Sequence, residues 1–158
     1  MEEIIIRRFR EEERQRLKDI TVASFANASV DKRIEDVFGQ LGSTNWQERK
    51  AASIDDDLAT NPDGVLVAEM GGEIVGYVTV YINREASLGR VVNLAVDADC
   101  RGRGLGRKLL VAADDYMRAE HMTHAKIETL ADNEVGNHLY PALGYREIVR
   151  QVHFVKKL

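Results

Sequence analysis

One cysteine, Cys100, occurs among 158 residues, so no intrachain disulfide can form. It has no neighbouring cysteines or histidines at zinc-ligand spacing, and no metal is expected. No apolar run approaches the roughly 20 residues of a membrane span. The opening stretch, MEEIIIRRFREEERQRL, mixes acidic and basic groups and lacks the apolar middle and small-residue cleavage site of a secretion signal. No membrane partner is therefore expected, and the cytoplasm is the expected compartment. Positive charge is slightly outnumbered, with 22 Lys and Arg against 26 Asp and Glu. The net charge of −4 argues against a general nucleic-acid binder. Internal repeats, low-complexity tracts and Pro/Ser-rich linkers are missing too. A chain of this length then suits one domain over 1–158 with a single core.

The apolar residues change period along the chain. IIIRRF (4–9) reads as a strand. Over 11–27, Leu17, Ile20, Val22 and Phe25 recur at roughly helical spacing. SVDKRIEDVFGQL (29–41) opens on a serine cap and aligns Ile34, Val37, Phe38 and Leu41 on one face. A third helix is expected within 43–62, stopped at Asn61-Pro62. The texture then turns β-branched. GVLVAEM and EIVGYVTVYIN flank Gly71-Gly72, a strong hairpin signal. RVVNLAV (90–96) is apolar enough for a strand buried on both faces. Leu109, Leu110, Ala113, Tyr116 and Met117 give 106–121 a helical period. A strand follows at 125–131, then a short helix at 134–143 stopped by Gly144, then one or two strands over 145–157. Strands joined by a long helix lie parallel with a right-handed crossover, whereas a hairpin is antiparallel. The expected fold is α/β (α+β): a mixed, mostly antiparallel central sheet with helices on both faces and one parallel βαβ unit.

At the junction within that unit stands DADCRGRGLGRKLL. A helix start leaves backbone N–H groups without partners and carries partial positive charge. Glycines allow an anion close to those N–H groups. Arg101, Arg103, Arg107 and Lys108 add fixed charge on a mildly acidic chain. A small phosphate-bearing ligand fits this better than a polymer. Two common nucleotide motifs fail. Lys108 is followed by Leu109 rather than the serine or threonine of a Walker A loop. Arg107 stands where a Rossmann fingerprint needs its third glycine.

R-x-x-G-x-G, from Arg101 to Gly106 after a strand ending in LAV, resembles the pyrophosphate turn of the GNAT family of N-acetyltransferases. A second motif, N-x-x-[AG]-x-x-L-Y-x-x-x-G-[FY], is matched by Asn133, Gly136, Leu139, Tyr140, Gly144 and Tyr145. The resemblance runs from about 64 to 150; over 1–63 it rests on element order alone. It implies acetyl-CoA as co-substrate and an amine as acceptor. Arg101, Gly102, Arg103, Gly104, Leu105, Gly106 and Arg107 would wrap the pyrophosphate. The main chain of Leu94, Ala95 and Val96 would take up the pantetheine arm as an added strand, and Asn133 would hold that arm. Asn133 also suits a helix N-cap, and both can be true.

Transfer to an amine needs a base for the nucleophile and an acid for the leaving thiolate. By resemblance Tyr140 protonates the sulfur; packing against the sheet is its alternative. Many members carry a base glutamate on the strand before the turn. Arg90 holds that register here, Asn93 is its neighbour, and neither can serve. Members resembling ribosomal-protein alanine acetyltransferases place a glutamate twelve residues before the tyrosine, which is Glu128. Glu128 as a surface carboxylate, or a base acting through ordered water, stand beside that reading. Cys100 lies by the turn, away from the acetyl group, and His138 and His153 lack triad partners. Pro141 removes an N–H from the last helix and is read as aiming Tyr140. The clusters Asp31, Glu35, Asp36 and Asp55, Asp56, Asp57 either attract a cationic amine or form solvated helix faces. A non-catalytic acyl-CoA sensor and an acyltransferase for a longer acyl chain are the competing readings. The acceptor is not legible, and a homodimer is left open.

Overall fold

The computed structural model describes residues 2–158. Gly71 and Gly72 take φ of +61° and +84°, the left-handed pair that a tight two-residue hairpin turn with strand twist requires. They join β2 (Val65–Met70) to β3 (Glu73–Asn83). β1 (Ile4–Arg8) pairs antiparallel with β2, and β4 (Leu88–Val96) antiparallel with β3. β5 (His124–Ile127) pairs parallel with β4, closing a sheet of order β1-β2-β3-β4-β5. The mixed, mostly antiparallel sheet and its parallel unit are as the sequence predicts.

Alternation decides what each face holds. Leu66, Ala68, Val78, Val80 and Val91 pack under Leu105, Leu109, Leu110, Ala113 and Met117 of α4 (Leu105–Ala119). Val65, Val67, Tyr77 and Ala95 face the other way. They meet Leu17 and Ile20 of α1 (Arg14–Ser24) and Ile54 and Leu58 of α3 (Trp46–Thr60). Tyr77 is fully buried, and its hydroxyl is satisfied by Thr21 at 2.6 Å. α2 (Val30–Phe38) starts on Ser29, whose side chain accepts from the Lys32 N–H. α5 (Glu134–Ala142) follows β5.

Four expectations change. β4 is not buried on both faces: Val91, Asn93 and Ala95 are, while Arg90 is exposed and Val92, Leu94 and Val96 are half-buried. Pairing with β5 ends at Val91↔Ile127, so residues 92–96 have no strand on that edge. β5 correspondingly ends at Ile127, not 131. The apolar face of α2 forms but buries nothing fully; Val37 is 75% exposed. Residues 145–157 form no strand and are not part of the five-stranded sheet.

Candidate active site

The register between β3 and β4 slips by one residue. Thr79 faces Asn93 and Val80 faces Val91, so Val92 is an extra residue. Such a bulge bends its strand and re-aims it. Here it coincides with the place where β4 and β5 part. Beyond it, residues 92–96 keep β3 on one edge and leave the other free of strands. Leu94, Ala95 and Val96 lie along this wedge, where an extended ligand finds an edge to join. Val96 already has one added partner, since its carbonyl accepts from the Ser24 hydroxyl at 3.2 Å.

The turn follows directly. Asp97 is fixed by Arg16 and caps the short turn before it by accepting from the Asp99 N–H. The guanidinium and that N–H hold the Asp97 carboxyl below its usual range. Gly102 and Gly104 take φ of +76° and +75°, and a Cβ on either would meet nothing within 4 Å. These glycines are required by backbone conformation, and the space over them is open. Gly104 is the N-cap of α4 and offers no side chain, so the first-turn N–H groups are uncapped. Arg101, Arg103, Arg107 and Lys108 form no ion pair with any carboxylate among the described residues, while Arg7, Arg14, Arg16, Lys18 and Arg49 all do. Uncapped amides, bare glycines and unpaired cations at one spot suit a pyrophosphate.

Tyr140 projects from α5 into the cluster under α4, half-buried, with Tyr145 packed edge-on at 6.2 Å between ring centroids. Burial raises its pKa, so the phenol keeps its proton at neutral pH. Its hydroxyl forms no hydrogen bond among the described residues. Gly136 explains the ring's seat. A Cβ there would lie 2.8 Å from Tyr140 Cε2. The second motif's small residue is therefore the groove in which the tyrosine ring lies. Asn133 caps α5: Oδ1 accepts from the Gly136 N–H at 3.3 Å, and Nδ2 donates to Thr129 at 2.7 Å. Gly106 approaches Leu139, linking the turn to α5.

Opposite α4, under α3, lies a polar chain that sequence reading missed. Lys50 Nζ donates to Asn93 Oδ1 at 2.8 Å and sits 4.0 Å over the Phe25 ring. Asn93 Nδ2 donates to Asp57 Oδ2 at 2.6 Å, and the Thr79 hydroxyl donates to the same oxygen at 2.7 Å. Burial pulls the Lys50 pKa down, with Asp57 and Asp31 opposing. Asp57 Oδ1 accepts nothing among the described residues, and Asp57 lines a cleft with Thr60, Tyr81, Arg90 and Val92 at the bulge. The signal was present. Ile54, Asp57 and Leu58 share one face of α3, so Asp57 is the member of its acidic run that points inward.

Glu128 lies one residue past β5 and pairs with Lys126 at 3.0 Å and Arg90 at 3.2 Å. Lys126 and then Arg90 lower its pKa against the opposing effect of burial. The acidic clusters are mostly engaged: Asp31 and Glu35 with Arg49, Asp36 with Lys32, Asp55 with Arg14 and Lys18. Cys100 is half-buried in the turn before Arg101, and His138 and His153 are exposed. No group of three or more His, Cys, Asp or Glu among the described residues could hold a metal ion. No described helix is long and apolar enough to cross a membrane.

A wedge beside a bulge, an anion-binding turn and a seated tyrosine define an acyl-CoA-type transferase fold. The chain belongs to the acetyltransferase (GNAT) family, whose model matches residues 30–145. It is similar to mycothiol acetyltransferase of Streptomyces coelicolor, 29% identical over 107 residues covering 68% of this chain and 33% of that protein. An uncharacterized N-acetyltransferase of Methanocaldococcus jannaschii is 30% identical over 87 residues, covering 54% of each. The chain thus spans about a third to a half of the length of these curated relatives. Among solved structures, PaiA N-acetyltransferase from Thermoplasma acidophilum in complex with coenzyme A has a TM-score of 0.72 at 17% identity, covering 91% of this chain and 90% of that one.

Proposed function

We propose that this chain transfers an acetyl group from acetyl-CoA to a primary amine, on a small molecule or a peptide N-terminus, by direct attack in a ternary complex. The observation that carries the reading is the turn at 101–108, whose uncapped amides and four cations without a carboxylate partner among the described residues match a pyrophosphate. Acetyl-CoA supplies an activated acyl group on a thiolate leaving group. Arg101 to Arg107 hold its pyrophosphate, Leu94, Ala95 and Val96 take its pantetheine as an added edge, and Asn133 steadies that arm by exchanging its bond to Thr129.

The amine enters from the α3 side, at the cleft by Val92. Its nitrogen bonds to the acetyl carbon, and the carbon–sulfur bond breaks. Tyr140 gives its proton to the departing sulfur; burial keeps the phenol protonated until the thiolate develops beside it. The amine proton goes to a carboxylate. Glu128 is one candidate, but two cations already hold it ionised and weaken it as a base. Asp57 is favoured by its position: two hydrogen bonds fix one oxygen and leave the other beside the cleft. Arg90, where the family resemblance leads one to expect a glutamate, and the ion-paired Glu128 also support a second reading, an acyl-CoA sensor without turnover.

A panel of polyamines, aminoglycosides, amino acids and peptide N-termini with acetyl-CoA tests both. Turnover of at least one amine is expected, with Tyr140→Phe folding normally, binding acetyl-CoA within a few-fold and losing roughly 10² in kcat. Tight binding with no acetylation across the panel favours the sensor.

A further inference from the structure

Arg90 stands in register with Tyr81 on β3 and Lys126 on β5, so the three side chains form a row across the sheet. α3 ends at Thr60 and leaves this row uncovered: Tyr81 is 43% exposed, and Arg90 and Lys126 are exposed too. The two cations share a single carboxylate oxygen, Glu128 Oε1, which Arg90 reaches through Nε. The outer nitrogens of the guanidinium, Nη1 and Nη2, donate no hydrogen bond among the described residues. Two positive charges against one negative leave the row a net cation with an open fork. A planar fork with both outer nitrogens free is the shape that takes a carboxylate through two parallel hydrogen bonds.

The anion that suits this fork is not the pyrophosphate. From Arg90 to Val96, whose end leads into the turn, β4 runs for roughly 20 Å at about 3.3 Å a residue. Arg90 instead lines the cleft beside Val92, with Asp57, Thr60 and Tyr81. That cleft has a carboxylate on its α3 wall and a guanidinium on its β4 wall. An acceptor with an amine at one end and an anionic group at the other meets a partner at each. An acceptor with a second cation would set it against Arg90 and Lys126, and like charges facing each other select against it. A peptide N-terminus lacks the anion, because its carboxyl is tied up in the next peptide bond. A free amino acid carries both groups, and Val92 and the Tyr81 ring offer its side chain apolar surface.

Resting on the acetyl-transfer reading above, we propose that Arg90, with Lys126 beside it, is the carboxylate subsite of the acceptor cleft, and that the acceptor is a free amino acid. Glu128 then acts as a positioning residue, holding the guanidinium by Nε so that its outer nitrogens face the substrate. The arginine replaces a base with a substrate-binding group, and Asp57 across the cleft takes the amine proton.

The test measures kcat/KM with acetyl-CoA for α-amino acids, β-alanine and γ-aminobutyrate, each beside its carboxamide, in wild type and Arg90→Gln. At least one free acid should exceed its amide. Arg90→Gln should lower kcat/KM for that acid by roughly 10–10²-fold and move its amide by less than about threefold. Each amine is compared with itself in the two proteins, so differences in amine pKa cancel. Arg90→Lys, which keeps the charge without the fork, should fall between. Acetyl-CoA affinity should stay at the wild-type value in both variants. A wild type that prefers the amides, or equal losses for acid and amide in Arg90→Gln, overturns the subsite. Calorimetry of the same acids against protein saturated with coenzyme A separates the two readings. Binding that Arg90→Gln abolishes, without turnover of any amine, keeps the subsite and sinks acetyl transfer. Turnover of other amines, with no acid bound, keeps acetyl transfer and sinks the subsite.

Discussion

Replacing Gly136 by alanine isolates what the second motif does. In a helix interior, alanine is better than glycine by about 0.8–1.0 kcal/mol. At this site the new Cβ would stand 2.8 Å from Tyr140 Cε2, 3.2 Å from its Cζ and 3.0 Å from Asn133 Nδ2. Ordinary carbon–carbon contact begins near 3.5 Å, so the ring must retreat by roughly 0.7 Å. The hydroxyl, at the far end of the ring, moves at least as far. Overpacking of this kind costs about 1–3 kcal/mol, partly offset by the propensity gain. The net effect on stability should be about 0–2 kcal/mol, a fall of less than about 8 °C in melting temperature for a domain this size. Activity should suffer more. A 1 Å misplacement of a catalytic group can cost about 10²-fold, so kcat should fall by roughly 10–10² while acetyl-CoA affinity stays within a few-fold. Steady-state kinetics on the best amine, with calorimetry for acetyl-CoA, measure both. Combining Gly136→Ala with Tyr140→Phe should cost little beyond Tyr140→Phe alone, because both remove the same proton donor. Full kcat in Gly136→Ala would refute the account, and so would additive losses in the double variant.

Gly104→Ala forces a left-handed residue to carry a Cβ, at about 1–2 kcal/mol. The turn should relax and coenzyme A affinity fall by roughly tenfold or more by calorimetry; unchanged affinity with the fold intact would sink the pyrophosphate assignment. Asp57→Asn is expected to lower kcat/KM by roughly 10²–10⁴, less at high pH where the amine is already neutral, with Glu128→Gln losing less than tenfold. The reverse ranking would return the base role to Glu128, and small losses in both would point to a water chain. Asp97 has a depressed folded pKa, so its contribution is present above the unfolded carboxylate value near 4 and lost as pH falls through the folded one. Asp97→Asn should therefore lower the melting temperature at pH 7, and the gap from wild type should close in acid; a gap that stays constant with pH argues against the Arg16 pairing.

The hairpin at Gly71-Gly72, the start of α4 and the cap at Asn133 were legible because each is written within a few residues. The glycines at 102 and 104 were legible for the same reason: backbone conformation selects them locally. The motif residues Gly136 and Tyr140 were recognised as a pattern, but the steric reason for the pair needed coordinates. The Lys50–Asn93–Asp57–Thr79 chain was not found, since it joins residues 22 to 43 positions apart and depends on a one-residue slip between strands. Periodicity cannot report a bulge, because Val92 and its neighbours are all ordinary strand residues. Residues 145–157 were misread for the opposite reason. Their local pattern is that of a strand, and nothing local says whether an edge is there to receive them.

Val92 is the residue that a designer would delete. Without it, Asn93 would follow Val91 directly, and both would keep their present partners, Thr79 and Val80. The ladder would run unbroken, and β4 would have no reason to turn from β5. Such a protein should be easier to fold and harder to melt, yet it would have no wedge. On the proposed function the extra residue would weaken the ladder and open the wedge that activity needs, the kind of position where selection for robustness and selection for turnover pull apart. Homologues or engineered variants that lose it should be sturdier and inert.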